Sequence, residues 1–133
     1  MGSYRIGDAA DLLGVSADTV RRWVDGGRLA ASRDAHGHRV VDGADLAAFA
    51  RSLAQGGGAD DQPAGWSSAR NRFRGIVTAI AKDTVMAKVD VQAGPFRMVS
   101  LMSREALDDL GLEVGSVAYA VVKSTNVVVE IPR

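Results

Sequence analysis

The chain has 133 residues, in which sixteen Lys or Arg balance sixteen Asp or Glu, with two histidines and no cysteine. This neutrality argues against a sequence-indifferent nucleic-acid binder, whose affinity would come from neutralising phosphates. The lack of cysteine excludes disulfide staples, thiolate metal sites and cysteine nucleophiles, and it fits a reducing compartment.

Met1 to Ile6 lacks the apolar run of a signal peptide, and no apolar stretch is long enough to span a bilayer, so a cytoplasmic protein is expected. A first helix should start near Gly7 or Asp8 and bury Ile6, Ala10 and Leu13, with Gly14 supplying a left-handed stop. Ser16 is a good N-cap for a second helix over about Ala17 to Asp25, accepting from the amide of Asp18 or Thr19. Val15 and Val20 flank that cap as a hydrophobic staple. Val20, Trp23 and Val24 point inward, Arg21 and Arg22 elsewhere, and Gly26-Gly27 ends the helix. Leu29 to Val41 lacks helical periodicity and predicts a short hairpin turning near Ala35-His36-Gly37. Asp42 then caps a third helix with Leu46, Phe49 and Leu53 as its apolar stripe. His36 and His38 at a hairpin tip read as solvent-facing side chains, and Trp23 reads as core.

Two short helices around the Gly14-Val15-Ser16 corner, with arginines on the second, form the pattern of a major-groove reader. The segment Arg5 to Ser52 resembles the winged helix-turn-helix of MerR and excisionase-like regulators. The resemblance runs through Asp8 to Ser16, Thr19 to Trp23, Gly27-Arg28-Leu29, Gly37-His38-Arg39 and Asp45-Leu46. It implies that Arg21, Arg22 and the wing residue Arg39 bind double-stranded DNA, with Ser16, Asp18 and Thr19 near bases. The chain departs from full MerR regulators in lacking a long dimerisation helix and a cysteine effector site.

Residues 54–65 carry a glycine triplet, two acids and a proline without apolar periodicity, so they read as a flexible linker between domains at 1–53 and 66–133. Beyond it residues alternate by twos. Val85, Ala87, Val89 and Val91 are assigned to one face, and Thr84, Met86, Lys88, Asp90 and Gln92 to the other. Further strands are expected over Phe73 to Ile80, Phe96 to Leu101, Val117 to Val122 and Val127 to Ile131. Gly94-Pro95 makes a turn. One helix is capped by Ser103, packs Leu107 and Leu110, and stops at Gly111. Two domains are thus predicted, a small mainly-α winged helix-turn-helix and an all-β five-stranded OB-like barrel with one short helix. Each unit is small enough for a single core to be marginal, so partner subunits should contribute buried surface.

Two donor clusters, Ser68-Ala69-Arg70-Asn71 and Lys123-Ser124-Thr125-Asn126, bracket the β unit, and neither contains a carboxylate. Such clusters suit a small anion, with Arg70 giving directional hydrogen bonds and Lys123 a compact charge. Asn71 reads as a turn-fixing residue, and Arg72 and Arg74 as surface or interface charges. Ser67 to Pro132 closely resembles the Mop domain, the molybdate-binding module related to TOBE domains. That likeness runs through Ser68 to Asn71 with Gly75, Ser103, Leu110-Gly111-Leu112 and Val121 to Val127. It implies molybdate or tungstate bound where subunits meet, by Ser68, Arg70, Ser103, Lys123 and Ser124, in a homo-oligomer such as a dimer or trimer of dimers. Some Mop domains carry another hydroxyl three residues after the Ser103 position, where this chain has Ala106.

No organic cofactor, no metal beyond the oxyanion and no membrane partner are expected. No paired acid and base, nucleophile with histidine, or phosphate loop is visible, so an enzyme is not expected. The combination predicts a molybdate- or tungstate-responsive transcriptional regulator. Its rivals are an oxyanion store or buffer, and an architectural DNA binder whose barrel only oligomerises.

Overall fold

The computed structural model describes residues 2–56 and 67–132. The chain divides into two compact units, Met1–Asp61 and Gln62–Arg133. In the first, strand β1 (Ser3–Arg5) leads directly into helix α1 (Ile6–Leu13). Gly14 closes α1 at φ 71°, where a side chain would be strained, and its amide returns to the α1 carbonyls. Ser16 caps helix α2 (Ala17–Asp25), its hydroxyl accepting from the Thr19 amide at 3.1 Å. Sequence periodicity places both helices correctly, with Ile6, Ala9, Ala10 and Val20 buried.

The hairpin forms as strands β2 (Ser32–Arg33) and β3 (Arg39–Asp42). The sheet has a third member that sequence reading missed. Strand β1 pairs antiparallel with β3, Tyr4 opposite Val41, giving the order β1-β3-β2. Helix α3 (Gly43–Gly56) starts where the Asp42 carboxylate accepts from the Ala44 amide at 3.2 Å. It continues past Ala54, where the linker was expected to start; 57–65 lies outside the described residues. Leu29, Val41 and Leu46 complete the core, and the rings of Trp23 and Phe49 meet edge-on with centroids 5.0 Å apart. Trp23 is therefore packed as core.

The second unit is an antiparallel sheet of strands β4 (Asn71–Lys82), β5 (Met86–Ala93), β6 (Phe96–Ser103) and β7 (Val117–Val122) in the order β6-β5-β4-β7. Helix α4 (Arg104–Leu110) joins β6 to β7. Ala87, Val89 and Val91 face inward with Val77 and Leu107, as their alternation requires. A bulge between Val77 and Ala79 bends β4, and the backbone of Val77 exchanges hydrogen bonds with Gly115 and Ser116. Gly75 lets β5 cross closely, since a Cβ there would sit 2.5 Å from the Gln92 carbonyl oxygen.

Four expectations need correction. The five-stranded closed barrel is an open sheet of four strands among the described residues, with β6 and β7 as free edges. Val127–Ile131 has strand composition but pairs with no described strand, because its alternation specifies a conformation and not a neighbour. Leu110 is 65% exposed, since its place at the end of a seven-residue helix turns it off the core that Leu107 fills. Val85 and Asp90 also exchange burial. Val85 lies in the β4–β5 turn and is exposed, whereas Asp90, on the polar face, is covered and pairs with Arg97 of β6.

Candidate nucleic-acid interface and anion site

Helix α2 presents one flank to solvent, with Ser16, Asp18, Arg21 and Arg22 exposed and Thr19 half-buried. The polar side chains are pre-ordered by one another. The hydroxyls of Ser16 and Thr19 lie 2.9 Å apart, Arg22 Nη2 donates to Thr19 Oγ1 at 3.2 Å, and Arg21 Nη1 meets Asp18 Oδ1 at 2.6 Å. Such exposed i,i+3 contacts are weak, so a phosphate or base edge can displace them. Arg39 lies on the wing, where its Nη2 reaches Asp25 Oδ1 at 2.6 Å and so ties β3 to the end of α2. The structure thus sets Ser16, Asp18 and Thr19 at the start of α2, with Arg21 and Arg22 farther along the helix and Arg39 fastened to its last residue, Asp25.

Sequence reasoning missed the wing's internal brace. Asp34 Oδ1 accepts from the amides of His36 and His38, each at 2.9 Å, and Arg33 Nη1 donates to the Gly37 carbonyl at 2.6 Å. The His38 amide, aided by that of His36, holds the Asp34 carboxyl below its ordinary value. An Asp two residues before a His-Gly turn is the readable signal for this loop. Arg28, which enters the sequence reading only within Gly27-Arg28-Leu29, has its guanidinium 6.0 Å from the Trp23 ring centroid and 5.9 Å from that of Phe49.

In the second unit the two donor clusters meet. Asn71 is the strand partner of Val122, so Arg70 and Lys123, the next residue on each strand, flank the same end of the β4–β7 pair. Asn71 Nδ2 donates to the Val122 carbonyl at 3.0 Å, fixing that junction. Arg70 folds over its own loop, with Nη1 donating to the carbonyls of Ser67 at 3.0 Å and Ala69 at 3.4 Å. Lys123 precedes a 3-10 turn, Ser124–Asn126. Ser68, Arg70, Lys123 and Ser124 are exposed, and the polar ends of Ser68, Lys123 and Ser124 bond to no other described residue. No carboxylate occurs in 67–75 or 118–129.

Ser103 stands apart. It pairs with Met86 at the end of the β5–β6 ladder, toward the end of the sheet opposite the Asn71–Val122 junction. Its hydroxyl accepts from the Ala106 amide at 3.0 Å while its own proton stays available. By strand register, the segments that carry Ser68 and Arg70 and Lys123 and Ser124 leave one end of the β4–β7 pair, and Ser103 lies toward the other end of the sheet. Among the described residues no group of three or more His, Cys, Asp or Glu could hold a metal ion, and no helix is long and apolar enough to cross a membrane.

Two family models match, a helix-turn-helix domain at residues 3–54 and the TOBE domain at residues 67–129. Molybdenum-pterin-binding protein 3 of Clostridium pasteurianum is 40% identical over 63 residues, covering 47% of this chain and 93% of that protein. The molybdenum transport protein ModE of Herbaspirillum seropedicae is 41% identical over 63 residues, which are 47% of this chain but 23% of that protein. Among solved structures, MopII from Clostridium pasteurianum is 36% identical and covers 49% of this chain and 98% of its own, at a TM-score of 0.46. The chain carries an N-terminal helix-turn-helix domain and a C-terminal TOBE domain, and through the second it belongs to the family of the molybdenum-pterin-binding proteins.

Proposed function

We propose that this protein is a cytoplasmic DNA-binding regulator that responds to molybdate or tungstate, and that the oxyanion binds where copies of its TOBE domain meet. The observation that carries the reading is the Asn71–Val122 junction, from which the two donor segments, free of acids, leave the same end of the β4–β7 pair. A tetrahedral dianion accepts hydrogen bonds and donates none, so a donor-only cluster is its complement. Arg70 supplies paired N–H groups, Lys123 a point charge, and Ser68 and Ser124 hydroxyls. Ser103 sits toward the other end of the sheet and is supplied by a neighbouring copy, its hydroxyl donating to the same anion. Sulfate, being smaller, would be held less well by a cavity sized for the larger oxyanions.

The helix-turn-helix supplies the output. Arg21, Arg22 and Arg39 take phosphates, and Ser16, Asp18 and Thr19 approach bases from the N-terminal turn of α2. Anion binding between copies favours one arrangement of the paired reading helices. A coupling of about 1–3 kcal/mol changes DNA affinity some 5–150-fold.

Calorimetric titration with molybdate, tungstate and sulfate, run alongside selection of bound duplexes from a random pool, tests both halves. Heat with the two larger oxyanions, and duplex retention that changes when they are present, are expected. Oxyanion uptake without duplex retention would make the protein a store. Flat titrations with duplex retention would leave an architectural DNA binder.

A further inference from the structure

We infer that Arg33 is a further phosphate-binding residue, which faces Arg39 across the β2–β3 wing and makes with it a clamp of two guanidinium groups for the DNA backbone. Arg33 and Arg39 are direct partners in the antiparallel register of these strands. Side chains of such partners leave the same face of the sheet, with Cβ atoms about 4.5–5.5 Å apart. Arg39 reaches Asp25 of α2 from that face, so both arginines stand on the side of the sheet where the reading helix lies. Arg33 is exposed and Arg39 is half-buried. Arg33 takes this role only where the first unit binds DNA, as proposed above.

Like charges directly opposite each other destabilise a strand pair. The wing relieves this in part by drawing the two groups to different acceptors. Arg39 Nη2 donates to Asp25 Oδ1, and Arg33 Nη1 donates to the Gly37 carbonyl, each at 2.6 Å. The first acceptor is a carboxylate and the second a neutral backbone oxygen. Among the described residues no carboxylate pairs with Arg33, so its charge is left uncompensated. Nor does the turn need that charge. Asp34 already closes it by accepting from the His36 and His38 amides, and backbone bonds join Asp34 to His38 and Gly37. A neutral donor at position 33 would serve the Gly37 carbonyl as well. An arginine there, opposite a second arginine, suits an anion brought from outside. Arg33 spends one nitrogen on Gly37 and keeps other N–H groups for a phosphate, so it can bind without releasing the turn. The bond to Gly37 also restricts the side chain in advance, which lowers the entropy lost on contact.

The test separates charge from bracing. Arg33→Gln keeps a side-chain N–H for the Gly37 carbonyl and removes the charge, whereas Arg33→Lys keeps the charge. Arg33→Thr, neutral and suited to a strand, replaces the glutamine variant if that one folds poorly. The probe is the duplex that the full-length wild type retains best from a random pool, titrated between about 50 and 200 mM salt. Loss of one phosphate contact lowers the log–log slope by about 0.9, so the affinity lost across that range shrinks about 3.5-fold. Arg33→Gln should show this smaller slope with weaker binding at low salt, and Arg33→Lys should restore the wild-type slope. A wild-type slope in Arg33→Gln, or equal slopes in the two variants, overturns the assignment and leaves Arg33 a brace of the turn. Arg39→Gln, run alongside, tells the two readings apart. A fall seen with Arg39→Gln alone rejects Arg33 and leaves DNA binding standing, whereas a wild-type chain that retains no duplex removes both.

Discussion

Asn71 and Val122 are bound to each other twice, as strand partners and through the Asn71 side-chain amide, which donates to the Val122 carbonyl at 3.0 Å. The second bond locks the point where both polar clusters leave the sheet. Asn71→Ala removes it without touching Ser68, Arg70, Lys123 or Ser124. One neutral hydrogen bond is worth about 1 kcal/mol, so oxyanion affinity should fall about fivefold by calorimetry while DNA binding holds. An unchanged affinity would show that the junction does not order the ligands.

On helix α2 the two exposed arginines should differ. Each side chain that neutralises a phosphate adds about one unit of log–log slope to the salt dependence of DNA binding. Arg22→Ala removes one such side chain together with its bond to Thr19. Arg21→Ala also leaves the Asp18 carboxylate, now 2.6 Å from its guanidinium, uncompensated beside the phosphates. Salt titrations of duplex affinity should therefore show both variants weakened, Arg21→Ala more so, with oxyanion heats unaltered. Equal losses would mean that Asp18 faces away from the duplex.

The N-terminal unit was legible because its signals are local. Gly14, the Ser16 cap and the apolar spacing of Val20 and Val24 fix α1 and α2 within a few residues of one another. Strand β1 escaped notice because three residues carry too little alternation, and its existence depends on β3 nearly forty residues later. In the second unit the strands were readable, but closure was not. Val127–Ile131 declares a strand without declaring which edge it joins, and the burial of Asp90 depends on Arg97 across the sheet. The donor clusters were visible as composition. Their junction at Asn71–Val122, and the distance of Ser103 from it, are matters of strand register.

Asp83 governs the β4–β5 turn. Its Oδ1 accepts from the amides of Val85 at 2.8 Å and Met86 at 2.7 Å, and the Met86 amide, followed by that of Val85, holds the carboxyl below its ordinary value. A depressed carboxyl contributes stability that is complete above its unfolded value of about 3.9 and is lost as pH falls through the folded value. Melting temperatures of the wild type and Asp83→Asn should thus differ near neutrality and converge in acid below about pH 4. A gap that persists unchanged well below pH 4 would remove the ionised carboxylate as the cause.

Gly75 tests the close strand crossing. A Cβ there meets the Gln92 carbonyl oxygen at 2.5 Å and Val91 Cγ1 at 2.7 Å, and the first is backbone that cannot swing aside. Gly75→Ala should cost about 1–3 kcal/mol by denaturant unfolding, through forced displacement of β5. Gly94→Ala is the comparison: its Cβ meets nothing within 4 Å, and its penalty comes from a φ of 56° alone. If Gly75→Ala is the milder of the two, the strands separate more readily than their packing indicates.

Asp90 is the buried carboxylate of the sheet, 8% exposed, and its compensation comes from one side only. Arg97 Nε and Nη2 reach Oδ2 at 2.8 and 2.7 Å, whereas Oδ1 has no hydrogen-bond partner among the described residues. Removing the arginine leaves a covered acid without a counter-charge, the costly half of breaking a buried pair. Arg97 is itself more than half exposed, so solvent screening reduces the loss, and Arg97→Leu should destabilise by about 1–3 kcal/mol. Replacing both, as Asp90→Leu/Arg97→Leu, removes the uncompensated acid and should recover much of that loss. A double variant no more stable than Arg97→Leu alone would show that the damage comes from the lost arginine stem and not from the stranded charge.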